Sequence, residues 1–490
     1  MNKTYIHSYK AIVLNYVRGV DWSLLLFLLL FLNVKLYVKL AAILFGLFVH
    51  RQNPLPRGPQ LRQWMGFYLA MIVLALVNAL LTPAVFTMPG MLATALGLGW
   101  WLSALMAAWF IHLFVKESDP DTLHRTAGLF FMLNATVMFV VFLKICINAG
   151  TINPYTYLGE HQKYFISTGD LITGVSLDGS VTAALISVLG LFYFLYRGRA
   201  FASFFCFVTV LLAGSNFIDL LLVVVFIFIF LFHTDRLQKG MIVLFVSCMF
   251  FFAIRISPEN GEYALRLLGR VQGQHAYEVP LTLPEPRSID LIENKAVKEM
   301  REELGGLMGV FYTAGTRDSL THAYRGWDLS GRKIAWQELG AFFRDHPGRL
   351  PAGAGMGNFS SRLAFKTAAL GVDGNYPLQL RYVHPFFRNN YLFIYLYYHS
   401  RDQGQHSLIN GVDSVYGQLL SEYGLIGVGC FVFFYAAFFL RPIRRLSYGV
   451  PVLIALAIAG FTGYWFEQLS VVVLFEFIML LDMRNIDVNA

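Results

Sequence analysis

Three arginines, Arg332, Arg381 and Arg388, are spread through the longest polar stretch of an otherwise apolar chain. A guanidinium is a planar fork of N–H donors that fits the oxygens of a phosphate or pyrophosphate. His384, His399 and His406 lie among or just after them, and imidazole passes protons near neutral pH. Asp413 and Glu422 stand where the polar stretch gives way to an apolar run. This set could run a transfer reaction. Arg332 would stabilise a departing anion, and Asp413 or His406 would accept the proton of an attacking hydroxyl. Arg381, Arg388, His384 and His399 would hold the substrate. Asp219 lies inside an apolar run and Glu467 at the start of another, where a carboxylate is costly unless it is paired, wetted or used. Both are added as candidate substrate contacts.

The missing signatures narrow the chemistry. The sequence has no GxxxxGK[ST] phosphate loop, no HExxH zinc pair and no CxxC. Cys146, Cys206, Cys248 and Cys430 all fall inside apolar runs, which predicts buried thiols and neither disulfides nor a thiolate metal site. The glycines of PAGAGMGNF, at 353, 355 and 357, follow a helix-like stretch and not a strand. A dinucleotide site is therefore not expected, and a turn that lets backbone approach backbone is. No metal and no cofactor are expected. The leaving group must then arrive activated, and a sugar on a lipid pyrophosphate meets that requirement.

The elements that position these residues are apolar helices. The chain has 490 residues, 57% of them hydrophobic and 14% charged, against about a quarter charged in a soluble domain. A membrane span needs about 20 apolar residues. Twelve candidates are legible, near 21–34, 36–50, 63–82, 91–115, 126–147, 179–196, 200–215, 217–233, 240–256, 423–440, 449–464 and 466–483. The first two are short, are interrupted by Lys35 and Lys39, and suit a tilted or re-entrant hairpin. The start of the chain does not read as a cleaved signal. The expected fold is an all-α polytopic membrane protein with about twelve spans. It divides into an N-terminal bundle over 1–256, a large loop over 257–422 and C-terminal helices over 423–490.

The charges orient it. With Lys3, Lys10 and Arg18 in the cytoplasm, alternate turns carry Arg51, Arg57 and Arg62; Lys116 and Arg125; Arg197 and Arg199; Arg236 and Lys239; and Arg441, Arg444 and Arg445. The opposite turns at 83–90, 214–216 and 464–466 carry no Lys or Arg, and 148–178 has only Lys163. By the positive-inside rule both termini are cytoplasmic and the large loop lies outside, in the periplasm of a Gram-negative cell. The loop is nearly balanced in charge, so the net +8 sits largely in the short turns and does not point to nucleic acid. Within the loop, Ile292–Leu304 reads as a solvated surface helix. Asp328–Arg344 reads as a helix with Ile334, Trp336, Leu339, Phe342 and Phe343 on its packing face. The aromatic run Arg381–His399 reads as a helix on the outer leaflet.

These residues reach a resemblance. SGRKIAWQELGAFFRDHPGRLPAGAGMGNF resembles the segment shared by bacterial O-antigen ligases and Wzy-type repeat-unit polymerases. The matching residues are Arg332, Trp336, Pro351, Gly353, Gly355, Gly357 and Phe359, with Asn358 inside the glycine turn. DSVYGQLLSEYGLIG resembles the family's return helix through Tyr416, Leu420, Glu422, Gly424 and Gly427. The resemblance implies transfer of a glycan from undecaprenyl pyrophosphate, with Trp336, Asn358 and Tyr416 added to the substrate-binding set. Partners would be the lipid-linked oligosaccharide, membrane lipid, and chain-length-regulator and flippase proteins, in the inner membrane. Ligases typically open the return helix with His-Asn, and here the pair is Asp413-Ser414. The Ser-Arg that the family often has on a middle span is Ser215-Asn216. The first departure favours the polymerase over a ligase acting on lipid A-core, and the second leaves that arginine absent. The reading from another class, a polysaccharide transporter, would call for two related halves, and none is evident.

Overall fold

The computed structural model describes residues 18–51, 59–82, 86–156, 172–258, 261, 331–367, 382–391, 394 and 411–489. Among these residues every regular element is helical and no strand occurs. Each of the twelve apolar runs contains a helix. They are α1 Trp22–Phe31, α2 Leu36–Val49, α3 Pro59–Leu80, α4 Met88–Glu117, α5 Pro120–Ala149, α6 Ser180–Tyr196, α7 Ala200–Leu212, α8 Asn216–Phe232 and α9 Arg236–Phe251, the last extended by a π-helical turn over Phe252–Ile256. Three short helices follow: α10 Gly331–Asp345, α11 Arg362–Thr367 and α12 Pro385–Asn390. Then come α13 Val415–Cys430, prolonged through Phe431–Ala436 to Ala437–Leu440, α14 Gly449–Ala459 and α15 Leu469–Asn489.

Five of these helices are long and apolar enough to cross a membrane: Gln63–Leu80, Met88–Glu117, Pro120–Ala149, Arg236–Ile256 and Val415–Leu440. This is a helical, membrane-embedded protein. The remaining apolar helices within the runs are shorter, apart from α15, which is 21 residues long but carries Glu476, Asp482 and Arg484. Helix α1 has 10 residues and at 1.5 Å per residue reaches only about 15 Å, half a bilayer core. It pairs with α2 as the expected short hairpin.

Turn chemistry sets the helix ends. Asp21 accepts from the Leu24 amide, Asp119 from Asp121 and Thr122, and Asp235 forms a capping box with Gln238. The charges of α15 serve the same purpose. Asp482 accepts from the Ser447 and Gly449 amides, both at 2.8 Å, where α14 begins. Arg484 donates to the carbonyls of Val115 and Ser118 where α4 ends. Glu476, fully buried, accepts from the Tyr68 hydroxyl.

One core runs through the bundle. A second is built by α10–α12 from Ile334, Leu339, Phe342, Phe359, Phe387 and Tyr391, with the Phe342 ring 4.8 Å from Phe359 and 5.0 Å from Phe386. The packing face of α10 is Ile334, Ala335, Leu339 and Phe342. Trp336, expected on that face, is turned to its rim and is 37% exposed, because 3.6 residues per turn rotates position 336 away from 335 and 339. Of the described part of the aromatic run, Pro385–Asn390 and residue 394 are helical; 381, 392–393 and 395–399 lie outside the described residues. The expected helix Ile292–Leu304 lies outside the described residues.

Candidate functional site

Helix α13 starts at Val415, eight residues before the apolar run suggests, because Ser414 caps it and accepts from the Gly417 amide at 3.3 Å. The helix is broken at Gly424, whose φ of 64° and ψ of −163° are open to glycine alone. In an unbroken helix the Leu425 and Ile426 amides would donate to Ser421 and Glu422. Here they donate to the carbonyls of Leu350 and Pro351, both at 3.0 Å. The orphaned carbonyls of Ser421 and Glu422 accept instead from Ala354 and Gly355, at 2.8 and 3.0 Å. The two motifs therefore exchange backbone bonds reciprocally. The contact needs both glycines. A Cβ on Gly353 would lie 2.4 Å from the Glu422 carbonyl carbon, and one on Gly424 would lie 2.5 Å from the Pro351 oxygen.

Buried carboxylates and amides hold the rest of the turn. Glu422 accepts from the Gly357 and Phe359 amides at 3.0 and 3.3 Å. Asn358 donates to the Ala354 carbonyl and accepts from the Tyr382 hydroxyl at 2.9 Å. Glu467, in the turn 460–468, accepts from the Leu363 amide at 3.0 Å and from Gln418 at 2.8 Å. Asn358 and Glu467 thus brace the site, and so does Glu422, the carboxylate named beside Asp413.

Arg332 and Asp413 come together from 81 positions apart. The Arg332 Nη1 donates to the Phe461 carbonyl and reaches the Asp413 carbonyl at 3.5 Å. Val415 N donates to the Gly460 carbonyl at 2.8 Å, which ties the start of α13 to this same turn. Burial lowers the Arg332 pKa from its usual value, and the nearby Asp413 carboxylate opposes the shift. Since Ser414 supplies the cap, Asp413 is not needed as one. Around the pair stand groups that the sequence reading missed. The Ser360 and Tyr464 hydroxyls bond each other at 2.8 Å, and the Tyr391 hydroxyl donates to the Val412 carbonyl at 3.2 Å. Burial pushes the Tyr391 phenol well up, so it stays a donor. Trp336, Ser360, Tyr391, Ser414 and Ser421 line a small cleft beside them. The signal for Tyr391 was the aromatic run itself, and for Tyr464 its place three residues before Glu467.

The other candidates divide. Arg388 is exposed on α12, with Nε donating to Asn389 at 3.3 Å. Tyr416 donates to the Ala457 carbonyl at 2.8 Å and packs on Phe461, a helix contact next to the site. Asp219, in the first turn of α8, has a buried Oδ1 with no hydrogen-bond partner among the described residues. None of its described contacts reaches the Arg332 cluster. Arg381, His399 and His406 lie outside the described residues. No group of His, Cys, Asp and Glu that could hold a metal occurs among the described residues.

His384 is buried, and its Nδ1 accepts from the Phe386 amide at 3.1 Å, capping α12. Burial, helped by Arg349, lowers its pKa to about 4. The folded protein keeps it neutral, while the unfolded chain takes a proton below its ordinary value of 6.5. Its stabilising contribution is complete above pH 6.5 and is lost as pH falls toward 4. Asparagine also caps but does not titrate. The His384→Asn variant should therefore lose less melting temperature than wild type between pH 7 and pH 5. Equal losses in thermal melts would remove this role.

No protein-family model, curated protein or solved structure matches the chain.

Proposed function

We propose that the chain is a glycosyltransferase that polymerises lipid-linked oligosaccharide repeat units at the periplasmic face of a bacterial inner membrane. The observation that carries this reading is the Arg332 guanidinium seated on the backbone of Asp413, beside a cleft lined by hydroxyl groups. In the reaction a hydroxyl of one lipid-linked unit attacks the anomeric carbon of the glycan on undecaprenyl pyrophosphate. The new C–O bond forms as the bond to pyrophosphate breaks, and the electron pair leaves with the pyrophosphate oxygen. Arg332 stabilises that oxygen's growing charge. The hydroxyl proton passes to the Asp413 carboxylate or to His406. The arrangement of the two motifs, one exchanging backbone bonds with the other, supports the resemblance that the sequence alone suggests.

The test is purified protein in detergent with fluorescent undecaprenyl-pyrophosphate oligosaccharide as sole substrate. Lipid-linked product of two or more units is expected. Asp413→Asn should slow it by about 10²–10⁴-fold, the usual worth of a positioned general base. Product made only when a lipid A-core acceptor is added would replace polymerase by ligase. No product with either acceptor would end the transferase reading.

A further inference from the structure

Glu476 is fully buried on α15, and no Lys, Arg or His among the described residues forms an ion pair with it. Its Oε1 accepts from the Tyr68 hydroxyl. The buried Tyr435 hydroxyl and Trp64 indole nitrogen face the same carboxyl group. Neither of them makes a hydrogen bond, and neither does the Glu476 Oε2. The packing brings all four side chains together. Trp64 and Tyr68 lie one turn apart on one face of α3. The Tyr68 and Tyr435 rings are 6.2 Å apart, and Trp64 and Tyr435 both pack on Phe439, at 6.0 and 5.2 Å. Tyr435 comes from the π-helical turn Phe431–Ala436, in which the Phe433 carbonyl accepts from Gln63 at 2.6 Å. Such turns inside α-helices recur at functional sites. Three buried polar atoms that face one gap without bonding across it are costly. A carboxyl group inside a membrane bundle with no cation beside it marks a site.

We propose that Glu476 is a proton-binding site, and that one water bridges its Oε2 to Trp64 and Tyr435. The donor set selects this occupant. The carboxylate repels an anion. A hard metal cation takes oxygen ligands, and Trp64 offers only an N–H. A buried water typically makes about three hydrogen bonds, and Trp64, Tyr435 and Oε2 can each supply one. The same water suits both protonation states. Beside the carboxylate it donates to Oε2 and accepts from Trp64 and Tyr435. Beside the acid it accepts from Oε2–H and from Trp64, and donates to the Tyr435 oxygen. The proton can therefore come and go while the water only turns. Tyr68 and Tyr435 are the titratable groups that face Glu476. Protons reach it from the end where α3 begins and α13 runs out. There Gln63, the residue before Trp64, accepts from the exposed Arg441 at 2.6 Å. Toward the other end the Trp101 ring stands 6.2 Å from Tyr68, and its Nε1 donates to the Tyr423 hydroxyl at 2.6 Å. That aromatic pair closes the route toward the Gly424 crossing. Nothing in this site depends on the transfer reaction.

The experiment is infrared spectroscopy of the full chain in detergent at pH 7, in H2O and in D2O, on wild type and Glu476→Gln. Wild type should show the C=O stretch of a protonated carboxyl group that Glu476→Gln lacks. The band should shift in D2O while the protein stays folded. Tyr435→Phe and Trp64→Phe each take a partner from the water, and each should move the band to higher frequency. If Glu476→Gln fails to fold, the paired shifts in these two variants identify the band instead. Carboxylate bands in place of the C=O stretch would overturn the proton site. Sodium chloride, compared with choline chloride, would then name the occupant: a melting temperature raised by sodium in wild type but not in Glu476→Gln would make it a cation. A C=O band unmoved by both aromatic substitutions would overturn the bridging water. A band that does not shift in D2O would overturn the access from the Gln63 end.

Discussion

Arg332→Ala is expected to lower turnover of the lipid-linked substrate by about 10²–10³-fold, the usual cost of removing one preorganised donor to a developing anion. The half-buried guanidinium is fixed by the carbonyls of Phe461 and Asp413, so no reorganisation is needed when the pyrophosphate oxygen gains charge. Arg332→Lys should recover little. A single ammonium lacks the planar fork that can hold two carbonyls and an anion together. The alanine variant also leaves those carbonyls without their donor, at about 1–3 kcal/mol for a group left unsatisfied. Melting temperature must therefore be read beside turnover. Added guanidinium should partly restore turnover to Arg332→Ala without raising its melting temperature. Wild-type turnover in the alanine variant would remove Arg332 from the chemistry. A loss of turnover that follows the loss of folded protein would make it structural.

Much of the architecture was legible because apolar length and turn chemistry are local. All twelve runs contain helices, and Asp21, Asp119 and Asp235 mark starts that a cap rule finds. What the sequence hid was non-local. The break at Gly424 looks like an ordinary glycine in an apolar helix, and only the Leu350–Gly355 backbone lying against it shows why no other residue fits. Asp413 has the residue type of a helix cap, yet the next residue, Ser414, is the one that caps α13. Trp336 was put on the packing face by counting apolar residues, although its angle on the helix places it at the rim of the cleft. His384 has the chemistry of a proton carrier, but burial and an amide hydrogen bond make it a cap. Residue type is written in the sequence, while the field and partners that decide its role come from the fold.

The second large effect is expected at Gly424, outside the cleft. Gly424→Ala places a β-carbon at φ 64° and ψ −163°, a backbone region that is essentially glycine's alone, at about 1–3 kcal/mol. The new atom would also meet the Pro351 oxygen at 2.5 Å. That neighbour is backbone and cannot swing aside, so overpacking adds about 1–3 kcal/mol. The strain is relieved only if the loop lifts from α13, which breaks the four exchanged backbone bonds and draws Gly357 and Phe359 from Glu422. Gly429→Ala is the control, since a β-carbon there meets nothing within 4 Å on the same helix. It should leave stability unchanged or raise it by up to about 1 kcal/mol. Thermal melts in detergent should show a large fall for Gly424→Ala and none for Gly429→Ala, and turnover of the lipid-linked substrate should follow the same order. The loop carries the second core, with Arg332, Tyr391 and the cleft, and a loop displaced from α13 no longer holds Arg332 on the carbonyls of Asp413 and Phe461. A Gly424→Ala protein as stable and as active as wild type would mean that the two motifs do not depend on this crossing.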